Sequence, residues 1–273
     1  MRPLAAWTPE HGLRGVLFDI DDTLTTEGQL TAEAYAALER LRAAGFLLVP
    51  LTGRPAGWCD HIARMWPVDA VVGENGAFYF CYDRVARRLI KRFRDDDATR
   101  AAYRGRLAAV RDRILREVPG AAVASDQLYR ETDLAIDYCE DVPRLPDTAI
   151  DRIATMMREA GMTAKVSSIH VNGWFGTYDK LGMTRVLCAE RCGVDLDRER
   201  ERFVFIGDSP NDAPLFAYFP VAVGVANVRA FAHRMEHYPA YATEHASGAG
   251  FAELAEKLLA SRMPTASLSP GGA

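Results

Sequence analysis

Gly15-Val16-Leu17-Phe18-Asp19-Ile20-Asp21-Asp22-Thr23-Leu24 is the stretch on which the fold turns. An uncharged apolar run that stops at acids reads as a strand buried on both faces, of the kind found in parallel sheets. The acids then sit at the strand's carboxyl end, where open α/β sheets bind their ligands. Side chains alternate in an extended chain, so Asp19 and Asp21 are expected on the same side. Carboxylates held that close repel each other unless a cation or a shared proton offsets the repulsion. A hard, oxygen-seeking ion such as Mg²⁺ suits them. Taken alone, the acids also read as caps of the turn and helix that follow.

Working outward, Thr31 to Ala44 carries Ala34, Leu38 and Leu41 at helical spacing, with Gly45 behind it. Phe46 to Leu51 is a second buried strand, and strand, helix, strand at this spacing is a parallel crossover unit. It ends in Thr52-Gly53-Arg54-Pro55 before a helix from about 56 to 66. A hydroxyl and backbone N–H groups at a helix entrance make a seat for an anion. A short strand at 70–72, the loop Gly73-Glu74-Asn75-Gly76-Ala77 and a hairpin through 78–82 and 88–93 follow.

From about Asp95 the pattern changes: a long basic helix to about 118, strands at 121–125 and 129–138, a helix at 147–160, and strands at 163–168 and 170–175. Helix and strand pair, repeated once, is the pattern of an antiparallel sheet with helices on one face. Lys180 begins the return to the first pattern, with a helix at 181–192 and a strand at 202–206 running into Gly207-Asp208-Ser209-Pro210-Asn211-Asp212. A helix to 218, a strand at 221–225 and a helix at 251–260 close the chain. The expected architecture is a doubly wound, mostly parallel, Rossmann-like α/β core formed by residues 1–84 and 178–262. An α+β module is inserted at 85–177, and the Pro-, Ser- and Gly-rich tail at 263–273 reads as disordered.

Of the 273 residues, 49% are hydrophobic and 26% charged, ordinary values for a globular chain with a full core. The formal net charge of −4, with acids and bases interspersed, gives no nucleic-acid surface. No run approaches the roughly 18 apolar residues of a membrane span, and the start lacks the apolar length of a signal peptide, so the expectation is a cytoplasmic protein. The five cysteines are scattered and expected to be reduced, and Cys188 and Cys192 lack the partners that a zinc site needs. The sequence leaves the oligomeric state open.

Three strands of one module finish in polar clusters of complementary kind: Asp19 and Asp21, Thr52, and Asp208 with Asp212. Four carboxylates around one point require a divalent cation, and Lys180 supplies one more positive charge. Metal, nucleophile candidates, anion seat and cation are the parts of phosphoryl transfer.

Asp19-Ile20-Asp21-Asp22-Thr23, Thr52-Gly53-Arg54, Lys180 and Gly207-Asp208-Ser209-Pro210-Asn211-Asp212 together resemble the four ordered motifs of the haloacid-dehalogenase superfamily. The insertion resembles its type-II (C2) cap, and Gly73 to Ala77 is similar to a loop of the IIB branch of sugar phosphatases and phosphomannomutases. The resemblance implies a phosphatase with Asp19 as nucleophile and Asp21 as general acid and base. It also implies that Asp19, the backbone carbonyl of Asp21 and Asp208 hold Mg²⁺, with Asn211 and Asp212 as further or supporting ligands. Thr52 and Lys180 would then bind the transferring phosphoryl group, with Gly53, Arg54 and Asn75 close to the substrate. Asp22 departs from the family, which more often has glycine there.

Each of these residues has a plainer reading when taken singly: Thr52 as a helix cap, Lys180 as a solvated lysine, Arg54 as partner of a core acid, Asn75 as a turn residue tolerating left-handed geometry. In the insertion, His170, Asn172 and Trp174 alternate on one strand face, suited to a sugar or simply to the solvated side of an antiparallel sheet. The expected substrate is a small phosphorylated metabolite, a sugar phosphate foremost. A phosphomutase, a metal-dependent glycosyltransferase and a non-catalytic binding module are the rival readings.

Overall fold

The computed structural model describes residues 1–10 and 12–262; the expected tail at 263–273 lies outside them. In chain order the first half of the elements is Arg2–Pro3 (β1), Gly15–Phe18 (β2), Ala32–Ala43 (α1), Leu47–Pro50 (β3), Ala56–Met65 (α2), Val71–Gly73 (β4), Phe78–Asp83 (β5), Arg88–Phe93 (β6) and Asp97–Glu117 (α3). There follow Ala122–Val123 (β7), Asp133–Asp137 (β8), Asp147–Glu159 (α4), Thr163–Val166 (β9), His170–Trp174 (β10) and Lys180–Leu187 (α5). Leu196–Glu199 (α6), Phe203–Gly207 (β11), Ala213–Tyr218 (α7), Val221–Gly224 (β12), Tyr241–Ala242 (β13) and Ser247–Ala260 (α8) complete the chain.

The main sheet has the order β1-β13-β12-β11-β2-β3, and every pair in it is parallel. Alternation along its strands assigns each residue to a layer. Val16 and Phe18 of β2 pack with α1, α2 and α8 through Leu38, Leu41, Ile62 and Phe251, whereas Leu17 faces the opposite layer with Leu187, Leu215 and Phe216. Helices thus cover both faces, as the uninterrupted apolar runs require. The edge strand β1 and its neighbour β13 hold two residues each, too short to leave a periodic signal in the sequence.

Beyond β3 a parallel bridge from Leu51 to Val72 leads into the antiparallel sheet β4-β5-β6. The hairpin of 78–93, which the sequence reading divides between two modules, is therefore continuous with β4. A third sheet, β7-β8-β10-β9, is antiparallel. Its inner residues Leu134, Ile136 and Val171 pack under α3 and α4 against Ile114, Ile150, Ile153 and Met157, giving this α+β module a core of its own. The other side of this sheet carries Asp133, His170 and Asn172, buried against the main domain. No helix among the described residues is long and apolar enough to cross a membrane.

Candidate active site

The carboxyl ends of β2 and β11 bring the acids together. The Asp19 N–H donates to the Ile206 carbonyl at 3.0 Å, which ties the two strand ends. Extended geometry stops there: the N–H groups of Thr23, Leu24 and Thr25 all donate to the Ile20 carbonyl, so Asp21 lies in a turn. Asp22 holds φ of +54°, the left-handed region that glycine enters at no cost, and its carbonyl accepts from Asn227 Nδ2 at 2.9 Å. The turn gives the two acids different cationic partners. Asp21 meets Arg54, with its Oδ1 2.8 Å from a guanidinium nitrogen, while Asp19 turns to Lys180.

On β11 the chain ends in Gly207, and a Cβ there would lie 2.4 Å from Asp212 Oδ2. That absence of a side chain lets the Asp212 carboxylate fold back, where Oδ2 accepts from the N–H groups of Asp208 (3.2 Å) and Ser209 (3.4 Å). Its Oδ1 accepts from Lys180 Nζ at 2.8 Å, and the same ammonium donates to Asp19 Oδ1 at 2.7 Å. Lys180 opens α5, whose entrance is capped by the Asp179 carboxylate accepting from the Gly182 N–H at 2.7 Å.

Asp19, Asp208 and Asp212 each offer an oxygen within 4.8 Å of the others. Three carboxylates against one ammonium leave an excess of negative charge in a site closed to solvent. Burial above all pushes the Asp19 carboxyl up to about 8, with Lys180 opposing and Asp212 and Asp21 adding to it. Burial likewise drives Asp208 well above the usual carboxylate range, reinforced by Asp19 and Asp212. Asp208 Oδ2 is buried without a hydrogen-bond partner, while Oδ1 accepts from Thr23 Oγ1 at 3.4 Å. An orphaned carboxylate oxygen beside excess negative charge fits a hard divalent cation. Both oxygens of Asp212 are already engaged, and Asn211 Oδ1 accepts from Ser209 Oγ at 2.8 Å.

Thr52 is fully buried, and its Oγ1 accepts from the Arg54 N–H at 2.9 Å in the turn ahead of α2; it does not cap the helix, whose N-cap is Pro55. Arg54 is the hub between the two modules. Its guanidinium contacts Asp21 in the main domain and, from the inserted module, Glu140 at 2.6 Å and Asp126 at 3.4 Å. Against the burial that would raise it, His170 and Arg54 hold the Glu140 carboxyl down at about 2. His170 Nε2 lies 2.9 Å from Glu140 Oε2, and Asn172 Nδ2 donates to Asp133 Oδ2 at 3.0 Å. Asn75 takes the left-handed geometry expected of a turn residue, φ +54°, and its Nδ2 is buried without a partner. A Cβ placed on Gly53 would lie 3.1 Å from that nitrogen and 3.6 Å from Asn172 Oδ1, so loop and inserted sheet meet at Gly53. Trp174 instead packs into the main core, stacked on Tyr178.

Glu74 lies in the loop at 73–77 and Arg130 in the polar stretch Tyr129-Arg130-Glu131-Thr132-Asp133, and neither residue carries a role of its own in the sequence reading. The Glu74 carboxylate, fully buried, accepts from Ala56 N–H at the start of α2 and from the N–H groups of Glu131 and Thr132 in the inserted module, at 3.0, 2.9 and 2.7 Å. Arg130 reaches the other way, donating to the Gly53 carbonyl at 2.8 Å while paired with Asp126 and Asp133. The signal at 129–133 is a density of charge that a solvated strand would share.

A family model described as haloacid dehalogenase-like hydrolase matches residues 16–96, the segment from β2 to the start of α3. A phosphoglycolate phosphatase of Pyrobaculum neutrophilum is 29% identical over 219 residues, 79% of this chain and 84% of its own length. Among solved structures, a Thermoplasma acidophilum protein aligns with a TM-score of 0.65 at 18% identity, over 91% of this chain and 100% of that one. The sucrose-phosphatase of Synechocystis, solved with sucrose and phosphate, aligns with a TM-score of 0.60 at 17% identity, over 89% and 96% of the two chains. At such identities the solved structures speak for the fold alone, and the segment similar to haloacid dehalogenase-like hydrolases is the one that carries Asp19, Asp21 and Thr52.

Proposed function

We propose that the protein is a Mg²⁺-dependent phosphatase that hydrolyses a small phosphorylated metabolite, a sugar phosphate foremost, through a phosphoryl group carried on Asp19. The observation that carries this reading is the buried set of Asp19, Asp208 and Asp212 bridged by Lys180 at the ends of two parallel strands. Asp19 and Asp208, with the backbone carbonyl of Asp21, would hold Mg²⁺, and Asn211 and Asp212 support them from behind. Bound there, the ion offsets charge on the phosphoryl oxygens.

The Asp19 carboxylate attacks phosphorus, and the bond from phosphorus to the leaving oxygen breaks. Asp21 gives that oxygen a proton and later takes one from the water that releases phosphate. Both Arg54 contacts fall on Asp21 Oδ1, which leaves Oδ2 for the proton transfers. The Thr52 hydroxyl accepts from Arg54 N–H, so its own proton is available to a phosphoryl oxygen. Lys180 neutralises the same group. The inserted α+β module acts as a cap that excludes water and presents His170 and Asn172 to the leaving group. A sugar is supported by the amide and imidazole groups on that face and by the sucrose-phosphatase likeness; phosphoglycolate belongs in the same panel because of the Pyrobaculum relative.

Phosphate release from a panel of sugar monophosphates, phosphoglycolate and phosphoglycerate-linked sugars, with Mg²⁺ and with chelator, tests the proposal. Metal-dependent release is expected, and Asp19→Asn should abolish it with an unchanged circular dichroism spectrum. Release that survives chelation or Asp19→Asn refutes the assignment.

A further inference from the structure

The side of the inserted sheet that faces the catalytic acids carries one cation that the mechanism above does not use. On β9, Ala164 and Val166 pack into the module's own apolar core, so Lys165 between them points to the opposite side. Its register partner on β10 is Asn172, and β9 lies against the Pro210–Asp212 turn. Lys165 lines a small cavity with Asn75, Lys180 and Asn211. It also lines the adjoining cleft, about 350 Å³ in volume, whose wall carries Arg158, Arg234 and His237 with Glu236 as its one acid. Lys165 therefore stands where the cleft meets the catalytic cavity.

The other cations around the acids are already engaged. Lys180 bridges Asp19 and Asp212. Arg54 holds Asp21, Asp126 and Glu140, and Arg130 holds Asp126 and Asp133. Among the described residues no carboxylate lies within 4.0 Å of the Lys165 ammonium. A half-buried ammonium without a counter-ion loses hydration and gains nothing in return unless a ligand supplies the negative charge.

We propose that Lys165 is a specificity residue that binds a second anionic group, a carboxylate or another phosphoryl group, on the leaving-group side of the substrate. The inference rests on the phosphatase reading and narrows it. The reacting phosphoryl sits against Asp19, Thr52 and Lys180, the hydroxylated part of the leaving group lies along Asn172, and the second anion reaches Lys165 at the mouth of the cleft. Arg158 extends the positive field outward, which favours arrival of a doubly anionic substrate, while Arg234 is already paired with Asp147 and Asp151. Acidic sugar phosphates, sugar bisphosphates and phosphorylated hydroxy acids have this character; an unsubstituted neutral sugar monophosphate does not.

The test uses matched pairs: phosphoglycolate against ethyl phosphate, and fructose 1,6-bisphosphate against fructose 1-phosphate. Steady-state constants are measured for the native enzyme, Lys165→Met and Lys165→Arg. Lys165→Met is expected to raise KM for the anionic member of a pair by about tenfold more than for its neutral partner, with little change in kcat, and Lys165→Arg to restore most of the preference. The responding pair identifies the second anion as carboxylate or phosphoryl. Calorimetric binding of the same compounds to Asp19→Asn, with and without Lys165→Met, reads the preference independently of turnover. Equal effects on both members of both pairs, or no preference in either assay, overturns the role of Lys165. Absence of phosphate release with the binding preference intact counts against the phosphatase reading alone.

Discussion

Gly76→Ala should disable the site from behind without touching a reacting group. Gly76 has φ of +107°, and a Cβ on it would lie 2.0 Å from the Asp179 carbonyl oxygen, 2.3 Å from its carbon and 2.8 Å from the Lys180 nitrogen. All three are backbone atoms at the entrance of α5, so no flexible side chain can yield. Restoring ordinary van der Waals separation requires a displacement of roughly 1 Å or more. Lys180 moves with that backbone, and its bonds of 2.7 and 2.8 Å to Asp19 and Asp212 would stretch past hydrogen-bonding distance. Overpacking costs about 1–3 kcal/mol, and the left-handed conformation of a non-glycine residue about 1 more. A total of about 3 kcal/mol corresponds to a fall in melting temperature of roughly 6–12 °C. Misplacement of a catalytic cation by about 1 Å should lower kcat on the order of a hundredfold. Gly161→Ala is the control, because Gly161 has φ of +81° with nothing within 4 Å of its would-be Cβ. Thermal melts and phosphate-release rates of the two variants make the comparison. If Gly76→Ala is no less stable than Gly161→Ala and keeps kcat within about threefold of native, the reasoning fails.

Two further predictions concern the junction between the modules. Arg54→Ala leaves Asp21, Asp126 and Glu140 without their shared cation and should cost about 3–5 kcal/mol, read from urea midpoints; Arg54→Lys should recover little, since a point charge cannot reach three carboxylates. A loss below about 1 kcal/mol would mean that water replaces the guanidinium. Glu140 is held at about 2, below its ordinary 4.5, so the stability it contributes is fully present above about 4.5 and lost as pH falls toward 2. Urea unfolding at pH 5, 4 and 3 should therefore show a shallower acid loss in Glu140→Gln than in the native protein. Identical slopes would show that Glu140 gains nothing from His170 and Arg54.

The buried runs ending in Phe18 and Ile206 disclosed a parallel sheet because strands packed on both faces leave no polar residues to interrupt them. The acids behind those runs disclosed the site, since strand ends at a topological switch converge whatever the connecting chain does. Asp208 and Asp212 could be paired from their spacing, and Asn75 could be read as left-handed from its residue type. The extended path assumed through Asp21 did not survive, because Ile20 gathers three N–H groups into a turn, and this sends Asp21 to Arg54 and Asp19 to Lys180.

What the sequence determined by itself is thus whatever depends on local periodicity and on the chemistry of strand ends: the doubly wound core, the antiparallel module and the acids gathered at the strand ends. What only the tertiary structure decided is how the two modules engage. Glu74 grips the backbone of Glu131 and Thr132, Arg130 grips Gly53, Arg54 gathers acids from both modules, and Lys165 is left facing the cleft unpaired among the described residues. These partners lie far apart in the chain and belong to segments that read as ordinary polar loops and strand faces. A charged residue carries no mark of its partner until docking removes both from water, and only then does the low dielectric make one pairing much stronger than the rest.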